Sequence, residues 1–207
     1  MESTKIVMIG DSITEWGRKE DPEDIGTGYV RLVNNYVVTA FPGKNIKVVN
    51  KGVGGDRITD MADRWEKDVL DEQPDYVSVS IGINDVWRQL DHPEMEQVSA
   101  QRFTDIYREL LTRVKSEVPS VKVILMEPTI IEEDTDSPGN KMLKEYVSAV
   151  HKLAEEFSAV VVPTHTAFIK YLETARRQEL TTDGVHMNSK GNMLMAVEWV
   201  KAVKGLL

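Results

Sequence analysis

Ser12 sits in Gly10-Asp11-Ser12-Ile13-Thr14, directly after an apolar run, and its hydroxyl can act as a nucleophile only if a base removes its proton. His186 is of the right type, because an ordinary imidazole titrates near ~6.5 and is mostly neutral at pH 7. Asp183, three residues earlier, can hold that imidazole in one tautomer and stabilise it once protonated. A tetrahedral intermediate also needs donors aimed at its oxyanion. The backbone N–H groups of Ser12 and Gly55 and the side-chain amide of Asn84 are the candidates, and glycine at 55 permits a sharp turn. Together these residue types can perform acyl transfer through a covalent serine ester.

Each signal also has a plainer structural explanation. A serine after a strand is commonly a helix cap, an Asp-x-x-His spacing is commonly accidental, and Asn84-Asp85 suits a turn. Their combination, in order along the chain and each at the end of an apolar run, favours chemistry. Of the other histidines, His151 falls in a long helical pattern and His92 in a loop, where packing or solvent exposure accounts for them. His165 follows the last apolar run and is the nearest rival, but no well-spaced aspartate precedes it, so His186 is preferred. Asp11 and Asp85 resemble a metal pair only superficially, since metal chemistry recruits more ligands in a defined geometry, and structural hydrogen bonding to loop N–H groups accounts for both better than a metal does. Asp11, Trp87 and Arg88 are the expected substrate-binding positions, with loop hydrogen bonding, packing and a surface ion pair as the competing explanations. Trp16 is a weaker pocket candidate, and Glu132-Glu133-Asp134 reads as a solvated loop.

These residues need a scaffold, and the pattern around them supplies one. Short β-rich runs occur at Lys5 to Ile9, Ile46 to Asn50, Tyr76 to Ile81, Val121 to Met126 and Ala159 to Pro163. Each is brief and continuously apolar, as expected of strands buried on both faces of a parallel sheet. Between them, apolar residues recur at helical spacing from Ile58 to Val69, Phe103 to Val114 and Met142 to Phe157. A last helix is predicted from Asn188 or Ser189 toward Gly205. Alternating strands and helices predict a parallel sheet covered on both faces. Ligands bind such sheets beyond the carboxyl ends of the strands, where Ser12, Gly55 and Asn84 fall.

Composition narrows the function further. The 207 residues suffice for one domain, expected over 1–207, and 41% hydrophobic with 29% charged residues is ordinary for a globular chain. Absence of cysteine removes disulfides, thiolate metal sites and thiol nucleophiles. A formal charge of −9 argues against nucleic acid as a partner, since phosphate binding needs a basic surface. No run approaches the ~20 apolar residues of a membrane helix. The start of the chain lacks a secretory leader, so a cytoplasmic location is expected, with neither membrane nor nucleic acid as partner. A dinucleotide-binding module, the main reading from another class, fails because the third glycine after Gly52 and Gly54 would fall at Arg57. A receiver-like module would not require Ser12, Asn84 and the late Asp183/His186 pair together.

The chain resembles the SGNH, or GDSL-like, hydrolase family over essentially its whole length. Ile9-Gly10-Asp11-Ser12-Ile13-Thr14 is similar to the family's nucleophile block, and Asn50-Lys51-Gly52-Val53-Gly54-Gly55-Asp56 to the block with the oxyanion-hole glycine. Gly82-Ile83-Asn84-Asp85 matches the third block and Asp183 to His186 the fifth. The resemblance implies a flavodoxin-like three-layer α/β/α sandwich with a five-stranded parallel sheet. It also implies ester hydrolysis without metal or other cofactor. A closer resemblance is to intracellular bacterial carbohydrate esterases, particularly acetylxylan esterases, carried by Gly26-Thr27-Gly28-Tyr29-Val30, Val48-Val49-Asn50-Lys51-Gly52 and Ile81 to Gln89. It implies acetyl esters of sugars or xylo-oligosaccharides as substrates, with a generic short-chain lipase, acylhydrolase or thioesterase as the alternative. Relatives in that branch can carry tryptophan before the catalytic aspartate, where this chain has Thr182. Homo-oligomers are common among such enzymes, and a homo-oligomer is the expected state.

Overall fold

The computed structural model describes residues 3–174 and 177–207. The apolar runs become five strands: β1 (Thr4–Gly10), β2 (Ile46–Gly52), β3 (Tyr76–Ser80), β4 (Lys122–Met126) and β5 (Val160–Val162). All pair in parallel, in the order β2-β1-β3-β4-β5. The central strand β3 is buried along its whole length, which is why its sequence is continuously apolar or small rather than alternating.

Helices cover both faces. They are α1 (Ser12–Glu15), α2 (Tyr29–Ala40), α3 (Ile58–Asp63), α4 (Ile83–Asp91), α5 (Ala100–Glu117), α6 (Pro138–Phe157), α7 (Thr164–Leu172) and α8 (Ser189–Val203). One layer packs α2 and α7 against α8, and the other packs α5 against α3 and α6, with α4 against α6. The apolar faces of these helices and the sheet merge into one buried cluster whose largest members include Trp65, Trp199, Tyr29, Tyr107 and Phe103. Trp199 of α8 also donates to Ser78 Oγ on β3 (3.0 Å), joining helix and sheet through a buried polar contact.

Of the two predicted caps for the last helix, Asn188 is the one used, accepting from the N–H groups of Lys190 and Gly191. The stripe from Ile58 to Val69 is not one helix as expected. It divides into α3 and a π-helical segment, Glu66–Leu70, separated at Arg64 and Trp65. Periodicity misses such a break because Trp65 and Val69 remain buried on the core side of it.

The strand order creates the position of the site. From β1 the chain moves outward to β2, then returns past β1 to β3. A crevice therefore opens beyond the ends of β1 and β3, where the crossovers leave in opposite directions.

Candidate active site

β1 ends at Gly10, and the chain turns at once into the single helical turn α1, with Ser12 as its first residue. Asp11 forms that turn: its Oδ1 accepts the Ile13 N–H at 2.9 Å. The turn lies tightly against the end of β2. A Cβ on Gly52 would come within 2.1 Å of the Glu15 backbone nitrogen, so this approach excludes every other residue. Asn50, itself buried, donates from Nδ2 to the carbonyls of Thr14 and Ile25 and accepts the Gly52 N–H on Oδ1.

The loop after β2 carries Gly55 in the left-handed region (φ +85°) with open space where a Cβ would be, a backbone that glycine adopts without cost. This loop borders Ser12, since a Cβ on Gly54 would stand 3.9 Å from the serine's own Cβ. Among the described residues, no group accepts the N–H of Ser12 or of Gly55. Asn84, on the first turn of α4 after β3, is 1% exposed and donates one amide hydrogen to Asp56 O at 3.1 Å. Its second amide hydrogen is left for another acceptor. Three donors thus stand at the ends of three adjacent strands.

The other half comes from a hairpin after α7. Thr181 and Met187 pair as an antiparallel bridge, Thr182 N–H donates to His186 O, and Asn188 N–H donates to Leu180 O. At its tip both carboxylate oxygens of Asp183 are engaged. Oδ1 accepts the N–H groups of Val185 (3.0 Å) and His186 (2.7 Å), and Oδ2 lies 2.7 Å from His186 Nδ1. Partial burial would raise the Asp183 carboxyl, but these hydrogen bonds, that of the imidazole foremost, outweigh it and hold the group below its ordinary value. An ionised Asp183 only accepts, so Nδ1 carries the proton and Nε2 faces Ser12 Oγ, 2.9 Å away, as an acceptor. The order carboxylate–imidazole–hydroxyl is the one that general-base activation of an alcohol requires.

Aromatic side chains wall the imidazole. Trp16 stacks on it (centroids 5.2 Å, 27° between planes) and Trp87 meets it edge-on at 6.1 Å. The Arg88 guanidinium lies over Trp87 at 4.8 Å.

Two positions, Asp11 and His151, differ from expectation. Asp11, expected to contact substrate, is 2% exposed and turned inward to the Ile13 N–H, a placement that shapes the nucleophile turn instead. Asp85 is likewise buried, with both oxygens accepting from Ile58 N–H. Burial pushes each of these carboxyls up to about 7. Among the described residues no three His, Asp or Glu side chains come together as metal ligands. His165 is buried and bonded to Thr129 O, and His92 pairs with Glu94. His151 is more than a surface or packing residue, because its Nε2 reaches the fully buried Glu127 at 2.7 Å.

Two contributors were not legible in the sequence. Arg64 bonds Asp56, Asp68 and the carbonyls of Lys51 and Gly10, thereby joining the ends of β1 and β2 behind Ser12 and Gly55. Nothing in the sequence marks it out, since it stands among other charged residues, Asp60, Asp63, Glu66, Lys67 and Asp68. Glu133, read as part of a solvated loop, accepts hydrogen bonds from the hairpin base at Leu180 and Thr181.

The family model of the GDSL-like lipase/acylhydrolase family matches residues 8–194. The acetylxylan esterase of Geobacillus stearothermophilus is 37% identical over 214 residues, covering 96% of this chain and 96% of that protein. Its crystal structure superposes with a TM-score of 0.88 at 36% identity, over 96% of this chain and 93% of that one. An alpha/beta hydrolase from the metagenome of Lake Arreo, Spain, is 33% identical with a TM-score of 0.90, over 99% of this chain and 96% of that one. Catalytic mutants of the Geobacillus enzyme replace a serine, an aspartate and a histidine, the last two three positions apart.

Proposed function

The chain belongs to the GDSL-like lipase/acylhydrolase family and is a carboxylic ester hydrolase, and from that premise we propose that Ser12, His186 and Asp183 are its catalytic triad. The observation that carries this reading is the unbroken hydrogen-bonded chain Asp183 Oδ2–His186 Nδ1 and His186 Nε2–Ser12 Oγ, at 2.7 and 2.9 Å. His186 takes the hydroxyl proton as Ser12 Oγ attacks the ester carbonyl. The N–H groups of Ser12 and Gly55 and the free amide hydrogen of Asn84 receive the oxyanion. His186 then protonates the leaving alcohol, and an acyl-enzyme remains. Water, deprotonated by the same imidazole, attacks the acyl carbon and releases the acid and Ser12. The spacing of aspartate and histidine supports the assignment, since it is that of the Geobacillus enzyme's catalytic mutants.

The substrate we propose is an acetyl ester on a xylose-based oligosaccharide, by membership in the family and likeness to the acetylxylan esterase. Trp87, edge-on to His186, offers an aromatic surface that suits a sugar ring, and Arg88, over that indole and paired with Asp91, adds polar groups beside it. In the Geobacillus enzyme a tryptophan immediately precedes the aspartate, whereas Thr182 stands there here. The aromatic surface of this chain therefore lies on the Trp16 and Trp87 side of the imidazole. Hydrolysis of acetylated xylo-oligosaccharides should exceed that of octanoyl aryl esters in kcat/KM, and the reverse order would favour a lipase-like activity. Exhaustive chelation should leave the rate unchanged, and acid should abolish it by protonating His186. A fluorophosphonate should label Ser12, and labelling of another serine would overturn the triad.

A further inference from the structure

Resting on the triad reading above, we infer that Glu133 is a positioning residue for catalysis, holding the hairpin that carries Asp183 and His186 at the distance Ser12 requires. The hairpin lies beyond the last strand, so no sheet register places it. Its own bonds shape it internally, but the N–H groups of Leu180 and Thr181 point away from its ladder. One oxygen of Glu133, Oε1, accepts both, at 2.7 and 2.8 Å, and also the Thr181 hydroxyl at 2.7 Å. Thr181 is buried and Leu180 is 2% exposed, so these donors have little water to turn to. The preceding residue acts at the opposite end of the hairpin: Glu132 N–H donates to Gly184 O at 2.7 Å. Two adjacent residues thus grip the hairpin at its base and at its tip, on either side of Asp183.

The grip is itself anchored. Asn140, fully buried on the first turn of α6, accepts the Ile131 N–H and donates to the carbonyls of Glu132 and Asp134. Ser137 Oγ donates to Ile131 O at 2.7 Å. Glu132 is held with φ +68°, a left-handed conformation that a glutamate adopts when its surroundings dictate it. A continuous set of bonds therefore runs from α6 through residues 131–134 to the hairpin. Neither Glu132 nor Glu133 touches the reacting atoms; they act through the position of His186. Displacement of a base by about 1 Å costs on the order of 10²-fold in rate.

What the hairpin needs at this point is an acceptor oxygen, and the test follows from that. Glu133→Ala should lower kcat by roughly 10- to 100-fold with KM within about twofold. Phosphonate labelling of Ser12 should slow in parallel, because it needs the same base. Glu133→Gln keeps an amide oxygen for the three donors and should recover kcat to within about threefold of wild type, at a temperature where both proteins are folded. Wild-type kcat in Glu133→Ala overturns the proposal, and so does a Glu133→Gln variant as slow as Glu133→Ala. Should Glu133→Ala not fold, Thr181→Val, which removes one donor of the three, should show the same selective fall in kcat by a few fold, and an unchanged kcat there counts against it. Turnover in Ser12→Ala within about tenfold of wild type would instead refute the triad itself, so the two readings fail separately.

Discussion

Ser12, Gly55 and Asn84 stand just past β1, β2 and β3, in a register that pairs Gly10 with Gly52 on one side and Ser80 on the other. Asp183 and His186 stand on a hairpin reached only after β5 and α7. Around Ser12 and Gly55 the supporting side chains of this first region are buried and largely committed. Asp11, Asn50, Asn84 and Asp85 are at most 2% exposed, and Arg64 closes the strand ends from behind. The second is open, with the Asp183 side chain 49% exposed, and it depends on contacts from another loop. The contrast suits the chemistry. An oxyanion hole works by being preorganised and costs no rearrangement during reaction. A base that serves two proton transfers must reach both serine and solvent.

Substitutions can break this comparison, beginning with the largest effect. Ser12→Ala should cut turnover by about 10⁶-fold while leaving the fold and its thermal transition unchanged, measured by ester hydrolysis and calorimetry. On the hairpin, Asp183→Asn should lower kcat by about 10⁴-fold, because an amide no longer dictates the tautomer of His186. Full activity in that variant would remove Asp183 from the triad. Asn84→Ala tests the buried half and should reduce kcat by roughly 10²- to 10³-fold with little change in KM, since charge on the oxyanion develops only in the transition state. If Asn84→Ala changed KM alone, the amide would be a ground-state contact.

The smallest expected effect concerns stability and should belong to the buried half alone. Burial holds Asp85 at about 7 against an ordinary 3.8, so between those values the folded chain keeps a proton that the unfolded chain has released. Stability from this group is therefore full below about pH 4 and falls as pH rises through 7. Asp85→Asn retains an oxygen for Ile58 N–H and should escape that loss. Its Tm should gain on wild type by about 5 °C between pH 5 and pH 8. An equal pH dependence in both proteins would show that Asp85 remains ionised throughout. Asp183, held low by its hydrogen bonds, gives the opposite sign, with its contribution lost only in acid.

The same contrast explains what could be read from the chain without its structure. The strands were legible because burial on both faces leaves continuous apolar runs, and their observed limits lie within two residues of the expected ones. The donors and Ser12 were legible because a parallel sheet gathers whatever follows its strands. Asp183 and His186 were legible by their types and spacing. The break at Arg64 and the engagement of Glu133 were not. For Arg64 and Glu133 the deciding partner is remote: 54 residues separate Arg64 from Gly10, and 48 separate Thr181 from Glu133.

By itself, then, the sequence determined the layer architecture and the chemical types present at the site, because periodicity and the residues following each strand are local properties. Only the tertiary structure decided which polar groups face substrate and which hold the site together. An acidic loop reads as solvated until the N–H groups it satisfies arrive from the far end of the chain. Partner geometry and burial settle such choices, and both depend on segments brought together only when the sheet and its two helical layers close.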